Sequence, residues 1–600
     1  MMNANAKPLT THNGHACQHI QQMLYESLCA VTTTPPLSCE SIALSLTDKN
    51  QQGEITSNLA LQLASKLGLA PRTLATTLQK HLQDNPHIRT VDVAGPGFLN
   101  LTLTPTFWHQ QLQALLAVKT PLTCAIGNNE RVNLEYVSAN PTGAMHVGHA
   151  RGAVFGDVLA NMLQASGYDV TREYYINDAG EQINHLIAST LWHYQTLAGR
   201  TPPKPENFYP GDEIKHCAQD LYRQHGKAPL ALLDQAPPTR TQTLRRHVTD
   251  SMLAIIRQDL ACLRIRHDVF SSEEELHRSQ AIEASIDTLT KKGLVYEGTL
   301  PPPKGKEDET WRPTPTLLFK AQQFGDEQDR PLKKDNATWT YFAADIGYHQ
   351  NKLARGFTTL MNIWGADHSG YRARLQGAVQ ALSNGQAQLK VLLMAMVRLT
   401  VEGKHVKISK RSGNVITLRT LVEETSADAV RFMMLTRRHD APLVFDMQTA
   451  IQEKRENPLF YVQYAHARCC SVLRQPLAQK ILAQTDAPKS TPPGTPPLSS
   501  LTAEHEIALI KVLACWPYFF EKAVLALEPH RITYLLTMTA ESFHSLWSQG
   551  KQNHQLRFLD ENDSERTADR LALIQATQRI LKAGLALLGI TAMDELRDND

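Results

Sequence analysis

Four short clusters of polar residues carry the chemistry this chain could do. His146 and His149 flank Val147-Gly148 and lie one helical turn apart, so on a helix both imidazoles face one side. A helix start offers unbonded N–H groups and the positive end of the macrodipole, which together suit an anion. Imidazoles there can donate to phosphate oxygens as negative charge builds, and Gly148 leaves room for a flat group near the backbone. Residues 403–418 read GKHVKISKRSGNVITL, with Lys404, Lys407, Lys410 and Arg411 around Ser409, then Ser412-Gly413. A basic, glycine-containing loop of this kind can wrap a triphosphate and neutralise charge moving onto a pyrophosphate leaving group. Tyr341 and Asp345 stand four apart and share a helix face, a pairing that can hold a cationic group by a charge-assisted hydrogen bond. Asp367-His368 follow the apolar run Met361–Gly365, where an acid at a strand's C-terminal end can accept from ribose hydroxyls. Each cluster also has an ordinary structural reading: surface histidines, a solvated charge run, a helix-start acid near a core tyrosine, a turn ending a strand. For Tyr341 and Asp345, spacing alone leaves the two readings level.

The surrounding pattern supplies the elements that must position the histidines. Val132, Leu134 and Tyr136 alternate with polar neighbours and predict a strand. Residues 139–145 carry Asn, Pro, Thr and Gly, a turn composition. From His146 the period becomes helical, with Ala150, Val154, Val158 and Met162 on one apolar face that ends at Gly167. Tyr168 to Tyr175 reads as the next strand, so the stretch is a β-turn-α-β unit with the histidines at its helix start. That context favours the nucleotide reading over two ordinary histidines.

The His-Val-Gly-His stretch resembles the HIGH signature of class I aminoacyl-tRNA synthetases, and Lys407-Ile-Ser-Lys410-Arg411 resembles their KMSKR signature, with Ile408 in place of the usual Met. Their order, with a long segment between, fits that class. Within it the chain resembles bacterial arginyl-tRNA synthetases along essentially its full length. The resemblance implies catalytic roles for His146, His149, Lys407 and Lys410. It implies ATP contacts at Asn140, Pro141, Thr142, Gly143, Val147, Gly148, Gly365, Asp367, His368 and Ser409. It implies arginine contacts at Glu135, Ser138, Asn140, His149, Tyr341 and Asp345, an acidic pocket of the kind a planar guanidinium demands. The implied reaction has two steps, arginyl-adenylate formation from arginine and ATP, then transfer to the terminal adenosine of tRNA. Bound tRNA is expected to be needed before arginine is activated. Magnesium is expected to accompany ATP, with no dedicated metal site and no tightly bound cofactor. Another class I synthetase, or a non-catalytic tRNA-binding paralogue, are the alternatives; no cysteine set of zinc-binding type supports a cysteine enzyme.

Size and composition agree. At 600 residues the chain predicts several domains, and 42% apolar with 20% charged residues describes a soluble globular protein. A net charge of only +2 means that a tRNA-sized partner would need local basic patches. Nine cysteines without a CxxC pair fit a reducing cytosol, and the apolar run Val391–Val397 is far too short to span a bilayer. A soluble, cytoplasmic, monomeric protein is expected. Walker-type, dinucleotide-binding GxGxxG and HExxH motifs are not found, which leaves P-loop ATPase, dehydrogenase and zinc-hydrolase readings without support.

The expected architecture is multidomain α/β. Residues 1–120 form an α+β module with helices at His19–Val31, Ser57–Gly68 and Leu74–Leu82 and two strands around the Ala-Gly-Pro-Gly turn in Thr90–Leu103. It resembles the family's N-terminal domain, which contacts the outer corner of tRNA. Residues 121–445 form a Rossmann-like (HUP-type) parallel-sheet catalytic domain, interrupted by an insertion at about 185–335 that holds the helical stretch Thr239–Leu263, the acidic Ser272–Leu276 and a Pro- and Lys-rich loop after Tyr296. Residues 446–600 form an all-helical domain resembling the DALR-type anticodon-binding domain, with amphipathic helices at Glu506–Phe520, Pro529–Ser548 and Arg566–Leu588 and a Pro-rich segment, Thr485–Ser500. Tyr464, Arg468, His544 and Trp547 could meet unpaired bases there or simply be core.

Overall fold

The expected βαβ unit is present: strand Arg131–Glu135, helix Val147–Ala165 and strand Asp169–Ile176, the helix stopped at Gly167 in the left-handed region (φ +83°). The helix lies tight on the strand because Gly156 has no side chain. A Cβ there would sit 2.3 Å from the Tyr136 ring. Beyond its exposed first residue the strand is buried on both faces, and its polar residues Asn133 and Glu135 go inward with partners. Asn133 donates to Glu173 at 2.5 Å, and Lys352 donates to Glu135 at 2.6 Å.

The computed structural model describes residues 15–47, 53–118, 120, 122, 124–225, 237–300, 315–406, 416–485 and 498–596. They divide into two units, residues 1–124 with 454–526 and 531–600, and residues 125–453 with 527–530. The second unit is built on a five-stranded parallel sheet in the order Gln388–Met394, Thr359–Gly365, Arg131–Glu135, Asp169–Ile176, Val269–Ser272. The chain starts at the central strand, adds two strands on one side, then returns to add two on the other. That reversal at Arg131–Glu135 and Thr359–Gly365 makes a crevice outside their C-terminal ends.

Strand Val269–Ser272 lies inside the stretch read from sequence as an insertion, yet it is an edge of the main sheet. Its four residues, two of them serines, carry no apolar pattern that sequence reading can use. The neighbouring acidic residues form the helix Glu273–Arg278, where Ser272 caps and the acids face the positive end of the dipole. Helix Pro237–Cys262 matches its expected position. A small antiparallel sheet follows, with strands Val295–Gly298, Thr316–Phe319 and Arg330–Pro331. Most of the Pro- and Lys-rich loop lies outside the described residues.

In the first unit, strands Leu44–Leu46, Ile55–Ser57, Phe98–Leu103 and Ile88–Ala94 make an antiparallel sheet, flanked by helices Ala16–Val31, Pro71–Leu82 and Pro105–Ala117. The turn at Ala94–Phe98 works through Gly97, whose φ of +146° and close approach to the Pro71 backbone (3.0 Å from an added Cβ) exclude a side chain. The helix expected over Ser57–Gly68 shrinks to Leu59–Leu63, because Ser57 ends a strand. In the same unit the helices Glu504–Leu525, His530–Gln552 and Ser564–Leu587 appear as expected, with a further helix at Pro458–Leu473. They are joined to the N-terminal module by Glu54, which accepts from Lys511 at 3.1 Å and from the Trp108 indole at 2.9 Å. Arg468 is spanned by the rings of Tyr464 (4.0 Å) and Trp547 (4.8 Å), while His544 is buried, its pKa lowered to about 4 by that burial, and belongs to the core. His466, Cys470 and Asp594 converge, but His466 Nδ1 hydrogen-bonds the Met593 carbonyl at 2.9 Å and the thiol lies 3.5 Å from Asp594, so internal hydrogen bonds account for the cluster. Residues 486–497 of the Pro-rich segment lie outside the described residues. No helix among the described residues is long and apolar enough to cross a membrane.

Candidate active site

The His146 ring caps its own helix. Its Nδ1 accepts the Gly148 N–H at 3.1 Å, and His149 Nδ1 in turn accepts the His146 N–H at 3.2 Å. The two rings stack with centroids 3.9 Å apart. Both Nδ1 atoms being acceptors, the proton of each neutral ring sits on Nε2, which is a donor of the kind a phosphate oxygen needs. Gly148 is required for this arrangement, since a Cβ there would lie 2.9 Å from the His146 ring.

Facing the rings is a cleft of about 710 Å³, lined among others by Ser138, Asn140, His146, Gly148, His149, Gly365, Asp367 and His368. The structure thus gathers residues from the ends of both central strands, as the reversal of sheet order requires. The exit from strand Arg131–Glu135 is strained: Val137 (φ +73°) and Ser138 (φ +40°) both adopt left-handed backbone, an outlier for a β-branched residue. Tyr174 holds that turn by donating to the Ala139 carbonyl at 2.6 Å, and Ser138 Oγ accepts the Tyr175 N–H at 3.0 Å. Asn140 donates to Gln182 at 3.0 Å. Pro141, Thr142 and Gly143 continue the turn outside the cleft lining, and the Val147 side chain points into the core, fully buried. Any contact of Val147 with a ligand is therefore through its backbone.

Lys407, Ser409, Lys410 and Arg411 lie outside the described residues. Their flanks are placed. Strand Lys404–Val406 precedes them, and after them Thr417 pairs with His146 in an antiparallel bridge while Leu418 N–H donates to the Met145 carbonyl at 2.8 Å. The chain thus re-enters directly beside the histidines.

Asp345 lies close enough to Glu135 and Glu273 to feel both carboxyls. Glu135 is not a bare carboxylate. Lys352, fully buried on the helix Tyr341–Ala354, bonds it at 2.6 Å and also reaches Asn362 at 3.3 Å. Asp345 accepts from the Tyr371 hydroxyl at 2.5 Å, and its pKa is pushed up to about 7 by burial, with the Glu135 and Glu273 charges adding. Burial also raises the Glu273 carboxyl. With Lys352 engaged by Glu135, the Tyr371 hydroxyl is the donor to Asp345, and an ionised Asp345 can take a guanidinium. Tyr341 is 59% exposed, its ring beside the Lys334 ammonium.

Sequence reading missed Lys352, Glu273, Tyr371 and Arg151. Lys352 had a signal, since Asp345, His349 and Lys352 form one i, i+4, i+7 stripe on a mostly apolar helix. Glu273 had none, because Tyr175, which bonds it, and Asp345, which feels its charge, are remote in sequence. Arg151, 1% exposed, donates to the carbonyls of Ala395, Arg437, Arg438 and Ala441 and so ties the histidine-bearing helix to the chain beyond strand Gln388–Met394.

A parallel sheet with HxGH at its reversal point and a returning Lys-rich segment defines the class I aminoacyl-tRNA synthetases. Family comparison agrees: residues 111–454 match "tRNA synthetases class I (R), catalytic domain", residues 18–103 match "Arginyl tRNA synthetase N terminal domain" and residues 462–596 match "DALR anticodon binding domain". The chain is 46% identical over 550 residues to the arginine–tRNA ligase of Xanthobacter autotrophicus, covering 91% of this chain and 93% of that one. It is 45% identical over 547 residues to the arginine–tRNA ligase of Parvibaculum lavamentivorans, with the same coverage of 91% and 93%. Among solved structures, an arginyl-tRNA synthetase from Campylobacter jejuni superposes with a TM-score of 0.68 at 29% identity, covering 82% of this chain and all (100%) of that one. The Thermus thermophilus arginyl-tRNA synthetase shares the fold, with a TM-score of 0.71 at 22% identity over 96% of this chain and 100% of that one. The chain belongs to the arginyl-tRNA synthetase family.

Proposed function

We propose that the chain joins L-arginine to its cognate tRNA at the cleft beside His146. An arginine carboxylate oxygen attacks the α-phosphorus of ATP, the bond to pyrophosphate breaks, and arginyl-adenylate forms. A ribose hydroxyl of the tRNA's terminal adenosine then attacks the arginyl carbonyl, and AMP leaves. Positioning and charge stabilisation supply most of the acceleration. The stacked histidine pair at the helix start carries the reading: the Nε2–H groups of His146 and His149 stabilise the α-phosphate. Lys407 and Lys410 draw off the charge of the departing pyrophosphate, with Ser409 between them.

The nucleotide lies against Asn140, Gly148, Gly365, Asp367 and His368, with Pro141, Thr142, Gly143 and Val147 contributing through the turn and helix-start backbone. Arginine occupies the pocket of Glu135, Ser138, Asn140, His149, Tyr341 and Asp345, its guanidinium meeting the carboxylates there. Magnesium enters with ATP as part of the substrate. Residues 1–120, 121–445 and 446–600 serve as the tRNA-contacting, catalytic and anticodon-binding domains. The working form is a cytoplasmic monomer that needs bound tRNA to activate arginine.

ATP–pyrophosphate exchange with each amino acid, with and without tRNA, tests this. Exchange with arginine only in the presence of tRNA is expected, whereas exchange with another amino acid would sink the assignment.

A further inference from the structure

We propose that Asp259 is a positioning residue for adenylation, tying the turn before His146 to the helix that follows the Lys407–Arg411 segment. The inference rests on the roles given above to His146 and Lys410. Asp259 lies on the helix Pro237–Cys262, remote in sequence from both motifs, and is 1% exposed. Burying a carboxylate is unfavourable unless both oxygens are hydrogen-bonded. Here Oδ2 accepts the Met145 N–H at 2.9 Å and Oδ1 accepts from Arg419 Nη2 at 2.9 Å.

Those two donors belong to the two sides of the site. Met145 precedes the His146 cap, and its carbonyl accepts the Leu418 N–H at 2.8 Å. Arg419 stands in the first turn of helix Leu418–Glu424, whose cap Thr417 pairs with His146. One carboxylate therefore closes a ring through Met145, Leu418 and Arg419. The histidine cap and the end of the Lys-rich segment move as one joint. A purely stabilising contact could be apolar at least as well; an ion pair with two defined donors fixes register instead. The carboxylates of the arginine pocket are held separately, by Lys352 on Glu135 and Tyr371 on Asp345. Loosening the Asp259 joint therefore misplaces the phosphate-stabilising groups while the Glu135 and Asp345 carboxylates that meet the arginine cations stay in place, so kcat falls far more than arginine affinity.

The test uses the full chain with tRNA present. Asp259→Asn turns one acceptor into a donor facing a donor, and Arg419→Ala removes the cation from a partly exposed position. Each single variant is expected to lower the exchange kcat about 10- to 100-fold, the cost of a small misalignment. The double variant should be no slower than the slower single, arginine Kd should stay within about twofold of wild type, and Arg419→Lys should recover much of the Arg419→Ala loss, since a lysine can still donate to Oδ1. Multiplicative losses in the double variant, an arginine Kd that rises in step with the fall in kcat, or an unchanged kcat would each overturn the proposal. Should Asp259→Asn fail to fold, the Arg419 variants decide alone. His146→Ala and Lys410→Ala run alongside: if they retain exchange, the site reading fails, and if they lose it while the Asp259 and Arg419 variants keep it, only this inference fails.

Discussion

Arginine binding should depend on pH with a midpoint set by Asp345. Its carboxyl is pushed up to about 7, chiefly because it is buried and secondarily because Glu135 and Glu273 lie near, with the Tyr371 hydroxyl and Lys352 pulling the other way. A guanidinium binds the ionised carboxylate, so protonation competes with the ligand. With a pKa of about 7 the apparent Kd is multiplied by 1 + 10^(7 − pH), a factor of about 1.1 at pH 8 and about 11 at pH 6. Arginine affinity is therefore expected to fall about tenfold from pH 8 to pH 6, about 1.4 kcal/mol, with roughly half a proton released on binding near pH 7. Titration calorimetry in two buffers of different ionisation enthalpy measures both quantities. Asp345→Asn should bind weakly and show no such slope. Tyr371→Phe, which deletes the donor at 2.5 Å that favours the ionised form, should move the midpoint to higher pH. A Kd flat within twofold across this range, or one that falls on acidification, would refute the reasoning.

The same shift has a stability counterpart. A carboxyl raised from 3.8 to about 7 penalises the folded state as pH rises through that window, so Asp345→Asn should stabilise the fold at pH 8 by at most ~4 kcal/mol and by nothing near pH 4, as denaturant melts at the two pH values would show. Lys352→Met strands the buried Glu135 carboxylate and should cost about 3–5 kcal/mol of unfolding free energy, much of it recovered by adding Glu135→Gln; a Lys352→Met protein as stable as wild type would contradict the pairing. Gly156→Ala drives a Cβ into the Tyr136 ring and should destabilise by about 1–3 kcal/mol, visible as a lower Tm. His149→Ala should lower the single-turnover adenylation rate by about 10²–10³, the usual loss for one transition-state donor, and near-normal turnover would remove the residue from that role.

The histidine motif and the elements that carry it were legible in the sequence because they depend on short-range physics. The Val147–Ala165 helix shows its 3.6 period, the turn before it shows its Pro and Gly, and the long C-terminal helices show their apolar faces. Even the separation of His146 from Asp367 posed no difficulty, since strand ends in a parallel sheet meet at the reversal of order.

What tertiary structure alone decided is which charges meet. Glu135 reads in sequence as a free acid for a guanidinium, yet it lies beside Lys352, 217 residues away. Strand Val269–Ser272 has too few apolar residues to announce itself and is fixed by pairing with Asp169–Ile176, and it delivers Glu273 to the pocket. Asp259 gives no local sign of serving both motifs, because its partners are 114 and 160 residues distant. Periodicity and capping are local and survive in a one-dimensional string. Compensation of buried charge is a property of contacts between remote segments, and only the folded chain specifies it.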